Sequence, residues 1–378
     1  MSQNEKDAYS VLRSMSQASG VTPTMITAFL KATSELNGYE VRVLLDEEKL
    51  AAGASAETIL FDLETDAPNL SGGYVLRLAR KEDAIFQQTS LEQDWDVLEA
   101  LKATGFEAPD AVWIGSIGDI PAMVVRRIIA PAPSIKFLEE GPFATGTAQL
   151  RGRMIENFVR TAADLHQISL ARLGLTRLSQ RGGPEGHFID REINWVLAEF
   201  HSRFPAEEDG DRAPLHGEIR SNIDRVADLL RRHAPRHRTP VLVHGDYTLA
   251  NVMFRDDGSI AALLDWELAH EGLPEEDIAN AVVSAQSRAA LGNPLSEFPS
   301  LAELAPMYQR FHPLPDTDWD FAALFASFRS TTWGAIGTRR FPPEFWPKQK
   351  LVWDAQKSIL NRLANDFLKK KGIQSEQF

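Results

Sequence analysis

Not one of the 378 residues is a cysteine, so disulfides, thiolate metal sites and a cysteine nucleophile are excluded. Long apolar runs are also missing. None approaches the roughly 18 residues that a membrane helix needs, so no membrane partner is expected. The start, MSQNEKDAYS, is polar and acidic and lacks the basic-then-apolar order of a secretory signal. A cytoplasmic location is the expectation. Bases are in deficit, with 40 Lys and Arg against 53 Asp and Glu and a formal net charge of -13. A nucleic-acid binder usually presents a basic face, so no nucleic-acid partner is expected. An acidic surface suits cationic substrates but more often serves solubility. What remains is ordinary globular composition, 43% hydrophobic and 25% charged. The length is enough for two or three domain-sized units; monomer and homodimer both stay open.

Periodicity divides the chain in two. Residues 21–36 read as a helix, with Thr22 as N-cap and Pro23 at the first helical position. Segments near 39–45, 57–63 and 74–79 carry β-branched and apolar residues between turn-prone stretches. Residues 85–103 return to a helical pattern, and two more strands fit 111–115 and 122–128. After about residue 129 the pattern is mainly helical, at 150–168, 188–204, 216–233 and through the last hundred residues. Strand signals there fall mainly at 241–264. The expectation is an α+β chain: residues 1–128 form an N-terminal helix and a β-rich lobe, residues 129–378 a larger helical lobe, with a cleft between them.

The most informative segment is PVLVHGDYTLANVMFRDDGSIAALLDWE. Two apolar runs, 251–254 and 260–264, flank Asp256-Asp257-Gly258, a strong hairpin signal. A two-residue Asp257-Gly258 turn pairs residues whose numbers sum to about 515, so Asn251 faces Leu264, beside Asp265. Opposed positions lie roughly 5 Å apart, within reach of one hard cation. Two oxygen ligands completed by waters and phosphate oxygens suit Mg²⁺. Asp246, five residues before Asn251, leaves the strand 241–243. An Asp, then an Asn five residues on, then a second Asp on a hairpin is a phosphoryl-transfer arrangement. In it one Asp deprotonates the attacking hydroxyl while Asn and the later Asp hold the metal. Asp and Asn are common in turns for conformational reasons alone; the combination at this spacing is what points to chemistry.

HGDYTLANVMF…LLDWELAHEGLPEEDIA resembles the catalytic core of the aminoglycoside phosphotransferase and choline kinase superfamily, and most closely the subfamily also found fused to acyl-CoA dehydrogenases. The likeness covers roughly residues 38 to 285 and includes GASAETILF, GGYVLRL, DVLEAL, AADLHQIS and REINWVLAEF. It implies a two-lobed, protein-kinase-like fold and ATP or GTP as donor. It also implies Asp246 as catalytic base and Asn251 and Asp265 as metal ligands, with Glu267 an acid that assists the metal in some relatives.

In YVLRL, alternation sends Tyr74, Leu76 and Leu78 inward and Arg77 to the other face. The resemblance puts Arg77 where kinases carry a phosphate-binding lysine, and Asp94 where they carry its helical glutamate partner. Asp94 shares a stripe with Leu91, Leu98 and Leu101, and a buried acid wants a cation. Ser55, in the loop Gly53–Thr58, is placed over the phosphates. The adenine-contacting hinge falls near residues 123–127, centred on Val125.

Other signals lead elsewhere. Thr147 occupies the lysine position of the P-loop-like GPFATGTA, which makes it a loop. His166 reads as a structural hydrogen bonder, His244 as a buttress, and Asp277 as an anchor for the catalytic loop. Gly245 stands where many regulated protein kinases have arginine, and no Ala-Pro-Glu follows. The acceptor is expected to be a small hydroxylated molecule held mainly by the C-terminal lobe. Aromatics such as Trp266, Phe321, Phe341 and Phe345 either line its pocket or pack the helical core. The alternative is a catalytically weak, nucleotide-binding protein with a regulatory or binding role.

Overall fold

The computed structural model describes residues 20–46, 51–52, 56–79, 86–131, 141–206, 213–292, 295, 297–339, 345–373 and 378. Ser55, Phe341 and the acidic stretch at 207–211 lie outside them. The chain divides into two compact units: residues up to 103 with 108–129, and residues 104–107 with 130–378.

In the first unit, helix α1 (Pro23–Lys31) begins where the Thr22 hydroxyl accepts the Met25 N–H, and it ends five residues short of the expected 36. Strands β1 (Val41–Leu45), β2 (Ala51–Ala52), β3 (Ala56–Thr65), β4 (Gly72–Ala79), β5 (Ala111–Ile117) and β6 (Ile120–Arg126) form one antiparallel sheet. Its order is β1-β3-β4-β6-β5, with β2 on β3. Tyr74, Leu76 and Leu78 of β4 are buried with Phe61, Leu63, Trp113 and Val124 beneath α1 residues Ile26 and Leu30. Tyr74 stacks on Phe61 at 5.6 Å and meets Trp113 at 5.2 Å. Such ring pairs add roughly 0.5–1.5 kcal/mol beyond the area they bury. Helix α2 (Leu91–Lys102) starts later than 85 because the Ser90 side chain caps it, accepting the Gln93 N–H.

The second unit is built on helices α3 (Pro142–Thr145), α4 (Ala148–His166), α5 (Leu170–Leu173), α6 (Thr176–Gln180), α7 (Phe188–Arg203) and α8 (Ala213–His233). After them come β7 (Val241–Val243), β8 (Val252–Phe254), β9 (Ile260–Leu263) and β10 (His270–Gly272), then α9 (Glu275–Ala290), α10 (Leu301–Phe311), α11 (Trp319–Arg339) and α12 (Trp346–Lys370). Small residues at the crossing (Ala279 of α9; Ala322, Ala323 and Ala326 of α11) let these two helices approach closely. Around most of its circumference α11 is buried, so it reads as apolar on every side rather than on one stripe. In the GPFATGTA segment Thr147 caps α4 by accepting the Leu150 N–H, a helix start and not a phosphate loop.

Candidate active site

Strand β7 pairs with β10, and the chain leaves β7 through His244, Gly245 and Asp246. Gly245 has φ +81°, and a Cβ there would lie 2.2 Å from the Leu268 carbonyl oxygen. Only glycine fits this left-handed, crowded position. Asp277, in the first turn of α9, accepts the backbone N–H of His244 at 2.8 Å and of Gly245 at 2.9 Å. His166 of α4 lies 3.0 Å from the same carboxylate and 2.7 Å from the Tyr308 hydroxyl. Burial alone would raise the Asp277 carboxyl; the hydrogen bond and charge of His166, with His244, prevail and hold it below the usual carboxylate value. Asp277 is thus the anchor of this loop, and His166 braces Asp277.

His244 ties two loops together. The Asp246 N–H donates to its Nδ1 at 3.2 Å, so that nitrogen is an acceptor. Nε2 then carries the proton and donates it to the Leu264 carbonyl at 2.7 Å. Leu264 directly precedes Asp265. Tyr247 pins the loop from below, its buried hydroxyl donating to the Phe158 carbonyl at 2.6 Å.

The β8–β9 hairpin carries Asn251 to the same place. Val252 pairs with Leu263 and Met253 with Ala262, and the Leu264 N–H donates to the Asn251 carbonyl at 2.8 Å. The facing of Asn251 and Leu264 is as expected from the numbers summing to 515. The turn is not. Arg255 accepts the Gly258 N–H, Arg255 N–H donates to Ser259, and Gly258 takes φ +84°, which makes a three-residue loop, Asp256-Asp257-Gly258. A register shift between Met253 and Phe254 absorbs the extra residue and restores the pairing beyond it.

Asn251 Nδ2 donates to both the backbone carbonyl and the Oδ2 of Asp246, each at 2.8 Å. A carbonyl oxygen can only accept, so the amide nitrogen must face Asp246, and Oδ1 is turned away from that carbonyl. Asp265 sits at φ +67°, an uncommon conformation for a non-glycine residue, one that turns the chain sharply after β9. Burial raises the Asp246 carboxyl above its ordinary value and the charge of Asp265 adds to this, while His244, Asn251 and Arg329 oppose it. Asp246, Asn251 and Asp265 therefore form one constellation. An amide oxygen and a carboxylate are donors of the kind that suit a hard divalent cation. Among the described residues no three His, Asp or Glu side chains gather as a ready-made metal shell. Glu267, two residues past Asp265, is half-buried between Trp266 and Leu268.

In the β-rich unit the Arg77 guanidinium donates to Asp94 Oδ2 at 2.9 Å, with Asp94 only 1% exposed. Arg77 and Asp94 are a buried ion pair spanning β4 and α2. Val125 lies inside β6, paired with Val75 on one side and Ala111 on the other. Its backbone is flanked by two strands, and the strand ends one residue later at Arg126.

Sequence reasoning missed a buried polar cluster beneath the loop. Glu192 of α7 holds two guanidiniums, with Arg181 Nε at 2.9 Å and Arg329 Nε at 3.3 Å. Arg181 also donates to the Ala269 carbonyl at 2.9 Å and lies over the Trp195 ring; burial draws it down to about 10. His270 Nδ1 meets the Leu268 carbonyl at 3.0 Å, and its Nε2 meets Glu276 at 3.1 Å. Burial pushes His270 well below and Glu276 well above their ordinary values, which favours the neutral form of each. One signal for Arg329 was available: it is the lone charge between Asp320 and Arg339 in an otherwise uncharged helix. Trp266, under the loop, and Phe321 are buried core side chains. A separate cavity of about 620 Å³ among α9–α12 contains none of the predicted site residues.

Solved structures with a similar fold include kinases. The chain aligns with a Plasmodium vivax ethanolamine kinase at TM-score 0.57 and 14% identity, over 93% of this chain and 94% of that one. With an amicoumacin kinase solved in complex with AMP-PNP, Ca²⁺ and amicoumacin the TM-score is 0.50 at 12% identity, over 85% and 88% of the two chains. At such identities the likeness establishes a protein-kinase-like fold and no more. The family follows from the sequence: residues 46–322 match the model of the phosphotransferase enzyme family, and the chain belongs to it. Acyl-CoA dehydrogenase family member 10 of Mus musculus is 23% identical over 298 residues, 71% of this chain and 25% of that protein. The chain thus spans about a quarter of the length of this relative.

Proposed function

We propose that the protein is a small-molecule kinase, transferring the terminal phosphoryl group of ATP or GTP to a hydroxyl of a small acceptor. The observation that carries this is the double hydrogen bond from Asn251 to Asp246 beside Asp265, which groups a base with two oxygen donors. Asp246 takes the acceptor's proton as its oxygen bonds to the γ-phosphorus and the bond to the nucleoside diphosphate breaks. Asn251 Oδ1 and the Asp265 carboxylate are the residues that hold Mg²⁺, with Glu267 an auxiliary acid; bound there, the metal neutralises charge on the phosphates. Arg77, held by Asp94, supplies a fixed cation for the phosphates, which a guanidinium grips through two parallel bonds. The hinge for the base centres on the end of β6, where Val125 lies, and Ser55 contacts the phosphates. In this reading the β-rich lobe, 1–128, binds nucleotide, and residues 129–378 supply the catalytic loop and the acceptor pocket. The kinase fold and the nucleotide analogue and divalent cation in the amicoumacin kinase support the reading.

The test is transfer of labelled γ-phosphate from ATP and GTP, with and without Mg²⁺, across amino alcohols, sugars and hydroxyacyl compounds. Label should appear on at least one acceptor only when the metal is present. Phosphate released from a phosphorylated substrate with no nucleotide required would make the protein a hydrolase instead.

A further inference from the structure

We propose that Arg329 is a positioning residue for the transfer, a buried strut against which the Gly245–Asp246 loop is set. The inference rests on Asp246 being the base, and it concerns what holds that base in register.

Position 245 has no side chain, and the space one would occupy is already taken. A Cβ there would fall 2.9 Å from Arg329 Nη2 on one side and 2.2 Å from the Leu268 carbonyl on the other. Gly245 therefore sits in a slot with two polar walls, one residue before the base. Both walls are held by polar contacts. Leu268 belongs to the segment entering β10, where His270 meets its carbonyl and Arg181 donates to the next one, at Ala269. Arg329 is 3% exposed, projects from the buried helix α11, and is held at Nε by Glu192. The two guanidiniums on Glu192 thus serve opposite walls of the slot.

The terminal nitrogens of the two arginines differ in what they meet. Arg181 directs Nη1 to the Ala269 carbonyl and Nη2 to Glu192 and lies over the Trp195 ring; its Nε, like that of Arg329, makes an ion-pair contact with Glu192 without a hydrogen bond. Arg329 Nη2 is buried against the loop with no hydrogen-bond partner among the described residues. A buried charge with an unmet donor is costly. Replacing Arg329 alone leaves Glu192 with Arg181 as its guanidinium, so the stability of each variant is measured beside its rate. A lysine reaching from α11 has one nitrogen and cannot both engage Glu192 and present a flat face to Gly245. What the guanidinium offers is a planar, fixed wall. Displacement of a reacting group by about 1 Å costs roughly 10²-fold in rate.

The experiment compares the wild type with Arg329→Met, Arg329→Lys and Asp246→Asn, measuring kcat, nucleotide and acceptor KM, and hydrogen exchange of the amides at 244–249. Arg329→Met should lower kcat about 10²-fold, leave both KM values within about twofold, and speed exchange in the loop but not in α4 or α8. Arg329→Lys should recover part of the lost kcat. A folded Arg329→Met with wild-type kcat overturns the proposal. So does one that raises only the acceptor KM, which would make the arginine a substrate contact. Should the methionine variant not fold, Arg329→Lys with wild-type kcat and loop exchange overturns it equally. Asp246→Asn separates the two ideas: if it retains transfer, the base assignment fails, whatever Arg329 does.

Discussion

In the proposed mechanism Asn251 does two jobs with one amide, and they can be separated by substitution. Its Nδ2 is committed to Asp246, and in that reading its Oδ1 takes the cation. Asn251→Asp keeps an oxygen for the metal but deletes the donor, and it sets a second carboxylate against Asp246. Like charges at that distance disfavour ionisation of the pair. Mg²⁺ binding should survive in this variant, while transfer drops by roughly 10²-fold or more as the base loses its orientation. Mg²⁺ titration alongside kcat reads both, and equal losses of metal binding and rate would contradict the division of labour. The three residues of the constellation were legible in the sequence because they are close in the chain and flank a turn with a strong signature. Strand alternation gave the face of Arg77 and the apolar helical stripe gave the burial of Asp94, while their pairing was legible only through the resemblance to kinases.

The elements that hold these residues respond to pH and to charge deletion in predictable directions. Asp277 has its carboxyl lowered from the usual 3.8. A depressed carboxylate stabilises the fold above its unfolded pKa, and the contribution is lost as pH falls below about 4. Asp277→Asn should therefore melt lower than wild type at neutral pH, by about 2–4 kcal/mol for the charged hydrogen bonds removed. The gap between the two should narrow on acidification below about pH 4. A gap that stays constant down to pH 2 would mean the charge of Asp277 contributes nothing. In the β-rich unit, Arg77→Met leaves Asp94 buried without its cation, which costs about 3–5 kcal/mol. Arg77→Met with Asp94→Leu should regain most of that stability but not nucleotide affinity, as thermal melts and nucleotide titration would show. Recovery of both would remove Arg77 from the nucleotide site. Element boundaries were less legible than element types. Deciding between a two- and a three-residue turn at Asp257-Gly258 depends on a bulge that no local pattern announces. Helix α2 begins at its serine cap and not where the helical periodicity does.

Across the whole molecule, the change from β-rich to helical pattern near residue 129 was visible in the periodicity. The polar cluster under the 244–246 loop was not. Arg181, Glu192, His270, Glu276 and Arg329 come from four helices or strands and a connecting segment, and only packing assembles them. Each alone reads as an ordinary surface residue, although all five are under 8% exposed. Among the described residues no helix is long and apolar enough to cross a membrane. The central claim, that Asp246 acts on the acceptor and not on the nucleotide, has a direct measurement. Asp246→Asn should bind Mg²⁺-nucleotide with nearly wild-type affinity while transfer to any acceptor found for the wild type disappears. Near-normal turnover in that variant would contradict the account.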